Sequence, residues 1–173
     1  MTGQINVNKI AARSGNTITI NSGDKISGAA GSIVSPGNVI QVVSTNVSYT
    51  YLATTSSSFI NYPALDTSIT PKFASSKILV MMSCDCETYE NNSQDCQQRQ
   101  VIYRGGSAVS REAYIRQYDY GGSGSLQVAT CTINHFDSPN TTSSTSYQVY
   151  FKKVSGDSAA IFGGNMTLME IAQ

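Results

Sequence analysis

The sequence predicts an all-β chain: an antiparallel, jelly-roll-like β-sandwich preceded by a short extended segment of strand and turn. Two observations carry that expectation. From Asn38 onward, short runs of alternating or continuous apolar residues are punctuated by clusters of Gly, Pro, Asn, Asp and Ser. Ser, Thr and Asn also fill 53 of 173 positions while only 13% of residues are charged, about half the usual share. Plentiful hydroxyls with little charge suit tight turns and rigid strands. The one helix-like window, Ser110-Arg111-Glu112-Ala113, is too short to count.

Residues 1–36 form a first region. Isolated apolar points (Ile5, Val7, Ile10, Ile18, Ile20, Ile26, Ile33, Val34) sit among turn residues, and Thr17-Ile18-Thr19-Ile20 is the clean alternating stretch. So thin a segment buries too little apolar surface to offset the entropy of ordering it. It lacks the charge or proline of a disordered tail. The expectation is that it shares a core with other copies of itself, with Ile5, Val7, Ile10, Ile18, Ile20 and Ile26 as the oligomerisation or attachment residues.

Residues 37–173 form the second region, large enough for a core. Val39-Ile40-Gln41-Val42-Val43 opens a strand that Ser48-Tyr49-Thr50-Tyr51 continues. Thr54 to Ser58 makes a turn before Phe59-Ile60-Asn61-Tyr62. Leu65 to Thr70 is a further strand stopped by Pro71, which lacks a donor for the ladder. Lys77 to Glu87 is the strongest strand. Its first half is apolar on both faces, as in a buried strand, and its polar second half is expected to run out toward solvent. Arg99–Arg104, Ala113–Tyr120, Leu126–Phe136, Tyr147–Val154 and Met166–Ala172 complete about ten strands, a pattern of sandwiches rather than parallel sheets. The last strand is largely apolar on both faces, so it belongs inside the sandwich or against a neighbour.

Composition narrows function. Net charge is zero and the basic residues are dispersed, so no electrostatic footprint for nucleic acid exists. No run of about 18 apolar residues is available for membrane insertion. The N-terminus lacks the basic and hydrophobic regions of a secretion signal.

Catalytic and metal readings are weak. Cys84-x-Cys86 shares one strand face, and with Cys96 and Cys131 supplies four sulfurs. No C-x-x-C pair or partner histidine supports zinc, so cross-strand disulfides or buried thiols are expected, without a metal. His135, the sole histidine, has Asp137 two residues on but no G-x-S-x-G elbow. Asp85, Glu87, Glu112 and Asp119 form no evident glycosidase pair. Gly121-Gly122-Ser123-Gly124 precedes a strand, which excludes a phosphate cradle at a helix N-terminus. The expectation is no enzyme and no cofactor.

Aromatic patterning is more informative. Tyr114, Arg116, Tyr118 and Tyr120 fall on one side of an extended strand. Tyrosine faces and a guanidinium fork suit the faces and hydroxyls of sugars, although packing at a subunit interface or on an exposed sheet accounts for them at least as well. The polar stretch with Tyr89, Asn91 and Asn92 is a loop of the kind that carries binding residues.

Several motifs recur in order: Gly37-Asn38-Val39-Ile40-Gln41-Val42-Val43, Thr54-Thr55-Ser56-Ser57-Ser58-Phe59, Ser68-Ile69-Thr70-Pro71 and Ser75-Ser76-Lys77-Ile78-Leu79-Val80. Asp137-Ser138-Pro139 with its hydroxyl-rich run, and the ending Met166 to Gln173, follow. Together these resemble the C-terminal domains of fibre-like structural proteins of marine and cyanobacterial tailed phages. The resemblance covers Gly37 to the end, except that Cys84 to Gly124 lies outside the motifs. It implies a virion component: a tail fibre or fibre tip, alternatively a head fibre or capsid decoration, and no catalytic motif comes with it. A homotrimer is then expected, as in other viral β-fibres, with residues 1–36 docking onto other virion proteins. The head would adhere to a host cell-surface glycan or protein. A carbohydrate-binding or carbohydrate-processing domain is the alternative from another class.

Overall fold

The computed structural model describes Ser22 and residues 35–91, 95–118 and 124–173. The expected leader residues Ile5, Val7, Ile10, Ile18, Ile20 and Ile26 lie outside them. Eleven strands are found among the described residues: β1 (Val39–Val47), β2 (Leu52–Thr54), β3 (Ile60–Asn61), β4 (Thr67–Ile69), β5 (Lys77–Glu90), β6 (Cys96–Arg104), β7 (Ser107–Ala108), β8 (Ala113–Gln117), β9 (Ser125–Asp137), β10 (Thr145–Ser155) and β11 (Ser158–Ile171). A single 3-10 turn, Pro63–Leu65, stands where the sequence suggested the start of a strand. Pro63 cannot donate to a ladder, and β4 begins only at Thr67.

Short strands pair up into longer edges. β1 and β2 both lie along β11, β3 and β4 along β10, and β7 and β8 along β6. The result is two antiparallel sheets, five-stranded β1/β2–β11–β5–β9 and six-stranded β3/β4–β10–β6–β7/β8. Counting each joined edge once, the strand orders are 1-8-3-6 and 2-7-4-5, the topology of a jelly roll. The chain therefore is an all-β antiparallel sandwich.

The break between β1 and β2 has a local cause. A bulge in β11 between Ile161 and Gly163 shifts the register with β5, and the Thr50 amide still reaches Phe162 O at 2.8 Å. Gly164 has φ +138°, and a Cβ there would stand 2.3 Å from the Ser83 carbonyl. Only glycine fits so close to the neighbouring strand.

The core lies between the sheets and includes Tyr62, Leu65, Ile78, Val80, Met82, Ile102, Tyr147, Val149, Phe151, Ile161, Met166 and Leu168. Each large apolar side chain so buried contributes roughly 1.5–3 kcal/mol. β11 is central, paired with β1 on one side and β5 on the other. Its Glu170 is fully buried and accepts from Gln41 Nε2 at 2.6 Å and from the Lys72 and Phe73 amides at 2.8 and 3.2 Å. Those bonds offset the cost of burying a carboxylate and pin the β4–β5 loop.

The second half of β5 corrects an expectation. It does not run out into solvent: Cys84, Cys86 and Thr88 are fully buried. Polarity belongs to its outer face, where Asp85 accepts from Thr130 Oγ1 at 2.9 Å and Glu87 from Tyr51 Oη at 3.0 Å. Inward, the small polar side chains satisfy one another. Gln100 Nε2 donates to Cys86 Sγ at 3.2 Å, and Cys131 donates to Gln100 Oε1 at 2.9 Å. With its amide turned so that the nitrogen faces acceptors, Gln98 donates to the Glu87 and Ala160 carbonyls at 2.9 and 3.2 Å and accepts from Gln100 Nε2 at 2.6 Å. A polar half-strand is buried because its partners are buried with it.

Candidate functional site

The site with most exposed recognition chemistry lies on the outer face of the second sheet, at its β8 edge. β8 pairs with β6 in a register that sets Tyr114 beside Arg99 and Arg116 beside Gln97. Ile115 points inward, so Tyr114 and Arg116 must point outward. Tyr114 is 64% exposed and Tyr118 54%. Gln97, Arg99, Tyr114, Arg116 and Tyr118 line an open hollow of about 570 Å³.

Electrostatics organise this hollow. Arg99 donates to Glu112 at 2.8 Å, and Arg116 is paired with Asp95. The Arg116 guanidinium also lies 4.1 Å from the Tyr118 ring centroid, a cation–π contact. Hydrogen bonding to Asp95 raises the affinity of Arg116 for its proton. Each guanidinium is thus matched by a carboxylate, and the hollow offers both donors and acceptors beside flat aromatic faces. Further along the same sheet, Tyr103 stacks on Tyr150 with centroids 4.0 Å apart, and Lys152 Nζ lies 4.2 Å over the Phe59 ring. Register places Lys152 beside Arg99, hence in one row with Tyr114.

The other expected contact residues are placed separately. Tyr89 lies on the outer face of the first sheet, opposite Leu126. Asn91 follows β5 and its amide donates to Asp157 Oδ2 at 2.9 Å, while the Asp157 amide donates to Tyr89 O at 2.8 Å. Asn92 and Tyr120 lie outside the described residues. The structure therefore brings Tyr114, Arg116 and Tyr118 together and sets Tyr89 apart from them. Gln97, Arg99 and Lys152 were not singled out from the sequence, because only the strand register joins them to Tyr114.

The catalytic and metal candidates are dispersed. His135 is half-buried on β9 opposite Val80, and Asp137 of the same strand pairs with Arg104 at 2.6 Å and accepts from Tyr147 Oη at 2.7 Å. Glu112 stands just before β8 and pairs with Arg99 of the second sheet, whereas Asp85 and Glu87 are on the first; Asp119 lies outside the described residues. All four cysteines are buried thiols without disulfides, although Cys84 and Cys131 are cross-strand partners. Hydrogen bonding with Cys86, together with burial, pushes the Cys131 thiol well above its ordinary value. A thiol so held is inert as a nucleophile. Among the described residues no group of three His, Cys, Asp or Glu is placed to hold a metal ion, and no helix is long and apolar enough to cross a membrane.

No family model matches the chain, and no curated protein matches it. Among solved structures it is similar to a chain in the structure of infectious bursal disease virus, Gx strain, at 12% identity and a TM-score of 0.40, over 84% of this chain and 37% of that one. It is also similar to a chain of the T13 particle of IBDV, at 9% identity and a TM-score of 0.42, over 84% of this chain and 35% of that one. This chain thus spans little more than a third of either. Likeness of that degree bears on neither function nor partners.

Proposed function

We propose that the chain is a virion structural protein, the head of a homotrimeric fibre or fibre tip that adheres to the host surface. The observation that carries adhesion is the exposed Tyr114–Arg116–Tyr118 edge, with Arg99 and Gln97 completing its hollow. Stacked rings and paired guanidinium–carboxylate groups match a polyhydroxyl surface that is both apolar on its faces and polar at its rim. The ordered motifs from Gly37 to Gln173 that resemble phage fibre domains support the virion setting. Single contacts of this kind are weak, and many copies on one particle multiply them. The reading assigns no chemical step to the protein.

A head fibre or capsid decoration is the second reading. It is favoured by apolar side chains on the outer face of the first sheet, which call for a protein partner rather than a sugar.

Binding of the purified chain to host cells tests adhesion directly. Tyr114→Ala with Tyr118→Ala should lower cell binding at least about tenfold, the loss expected when central aromatic contacts are removed. Unchanged binding by that variant would refute the assigned edge. Wild-type chain that does not bind, with label confined to the capsid shell of intact particles, would favour decoration. Release of shorter products from host glycans would refute the non-enzymatic reading.

A further inference from the structure

The outer face of the first sheet carries a row of apolar side chains across all four strands. Register aligns Val42 of β1, Met169 of β11, Leu79 of β5 and Phe136 of β9 side by side. Val42 is 53% exposed and Phe136 59%. None of the four belongs to the core, which is filled from the opposite face by Ile78, Val80, Met166 and Leu168. Val39 and Ile171 extend the row on one side, and Met81 on the other. The next rows, Ser44–Thr167–Met81–Asn134 and Asn46–Asn165–Ser83–Thr132, hold no charge. Charge enters this face only at its two limits, at Lys77 beside Ile171 and at Asp85; the rows between them are uncharged. Depletion of charge around an apolar centre is what distinguishes interface cores from ordinary surface.

We infer that a second copy of this chain packs on this face. The inference rests on the oligomeric reading above and names the surface that reading leaves open. Two observations point to self rather than to another partner. The leader enters the sandwich at the apolar end of this face, because the Gly37 amide donates to Ala172 O at 2.9 Å and the Ala172 amide to Asn38 O at 2.9 Å. Residues 1–34 precede this point in the sequence, so the chain joins them to the sandwich beside Val39 and Ile171, and they are the residues whose sparse apolar points call for other copies. Second, β9 is a 13-residue edge strand with Leu126, Val128 and Phe136 exposed. So long an edge, apolar at both ends, invites uncontrolled pairing unless it is covered. A head-to-tail contact that closes after three copies covers each face and edge once and leaves no open end.

Sedimentation of the full chain, read beside its circular dichroism, tests this. Wild type should sediment as a trimer. Val42→Asp with Phe136→Asp should raise the concentration needed for association by roughly 100-fold or more, as loss of a central apolar contact does, with the β spectrum retained. Tyr114→Asp, on the other sheet, should leave the trimer intact. Should the Asp pair fail to fold, Val42→Ser with Phe136→Ser removes the same apolar tips and is expected to dissociate likewise. A folded variant that remains an oligomer like wild type overturns the face while leaving the oligomeric reading standing, and transfers the face to the chain's own leader or another virion protein. A monomeric wild type overturns both.

Discussion

The two outer faces of this sandwich are built from the same kinds of strand but carry opposite chemistry. The first sheet presents Val42, Met169, Leu79 and Phe136 in one row, with uncharged hydroxyl and amide rows beyond. The second presents Tyr114, Arg99, Lys152 and Arg116, with aromatic rings under cations and ion pairs at its rim. Water solvates the second face well and the Val42–Phe136 row of the first poorly. A low-charge surface need not be uniform: one side is suited to dry packing, the other to wet, reversible contact.

Removing the strand shared by core and apolar face has the largest expected effect. Deleting Met166 to Gln173 strips Met166 and Leu168 from the core and leaves β1 and β5 without much of their common partner. Loss of soluble, folded protein is expected in expression and circular dichroism; a soluble oligomer of normal size would contradict it.

A sharper cut uses neighbouring residues of β11 that face opposite ways. Leu168→Ala should destabilise the head by about 2–5 kcal/mol in urea unfolding, the cost of a large core truncation. Met169→Ala, on the outer face, should cost the dissociated head less than about 1 kcal/mol and instead weaken association. Equal effects of the two on unfolding of the dissociated head would erase the distinction between core and interface.

On the second face, Tyr114→Ala should change stability by no more than about 0.5 kcal/mol, as exposed substitutions do, while cell binding falls. Destabilisation well beyond that would mark Tyr114 as structural.

The smallest effect concerns pH. Burial first, and hydrogen bonding to Asp137 second, raise the Tyr147 hydroxyl above its ordinary 10.0. The unfolded chain loses this proton near pH 10 while the folded one holds it, so stability is full below that pH and declines above it. Tyr147→Phe should flatten the alkaline limb of stability against pH. An unchanged limb would mean that Tyr147 ionises alike in both states.

Much of the fold was legible because period-two alternation is a local signal. The runs beginning at Val39, Lys77 and Met166 announce strands without knowledge of their partners, although β5 and β11 are apolar on both faces there and only the assembled sandwich decides which face is inward. The second half of β5 misled because Cys84, Cys86 and Thr88 are small and polar, and their burial depends on Gln98 and Gln100, which a distant strand supplies. The same limit applies to the candidate site. Alternation placed Tyr114 and Arg116 on one side, but Arg99 joins them only through the β6–β8 register and Lys152 through β6–β10. The row Val42–Met169–Leu79–Phe136 draws one residue from each of four strands, and nothing local in the chain links them. Register is a tertiary property, so both faces emerge only once the sheets are assembled.

The central claim, that the two outer faces serve different partners, is tested most directly by a crossed pair of variants measured for both sedimentation and host-cell binding. Val42→Asp with Phe136→Asp should dissociate the trimer, and Tyr114→Ala with Tyr118→Ala should keep the trimer and lose cell binding. If the tyrosine variant dissociates the trimer while the first-sheet variant leaves it whole, the assignment of the two faces is contradicted.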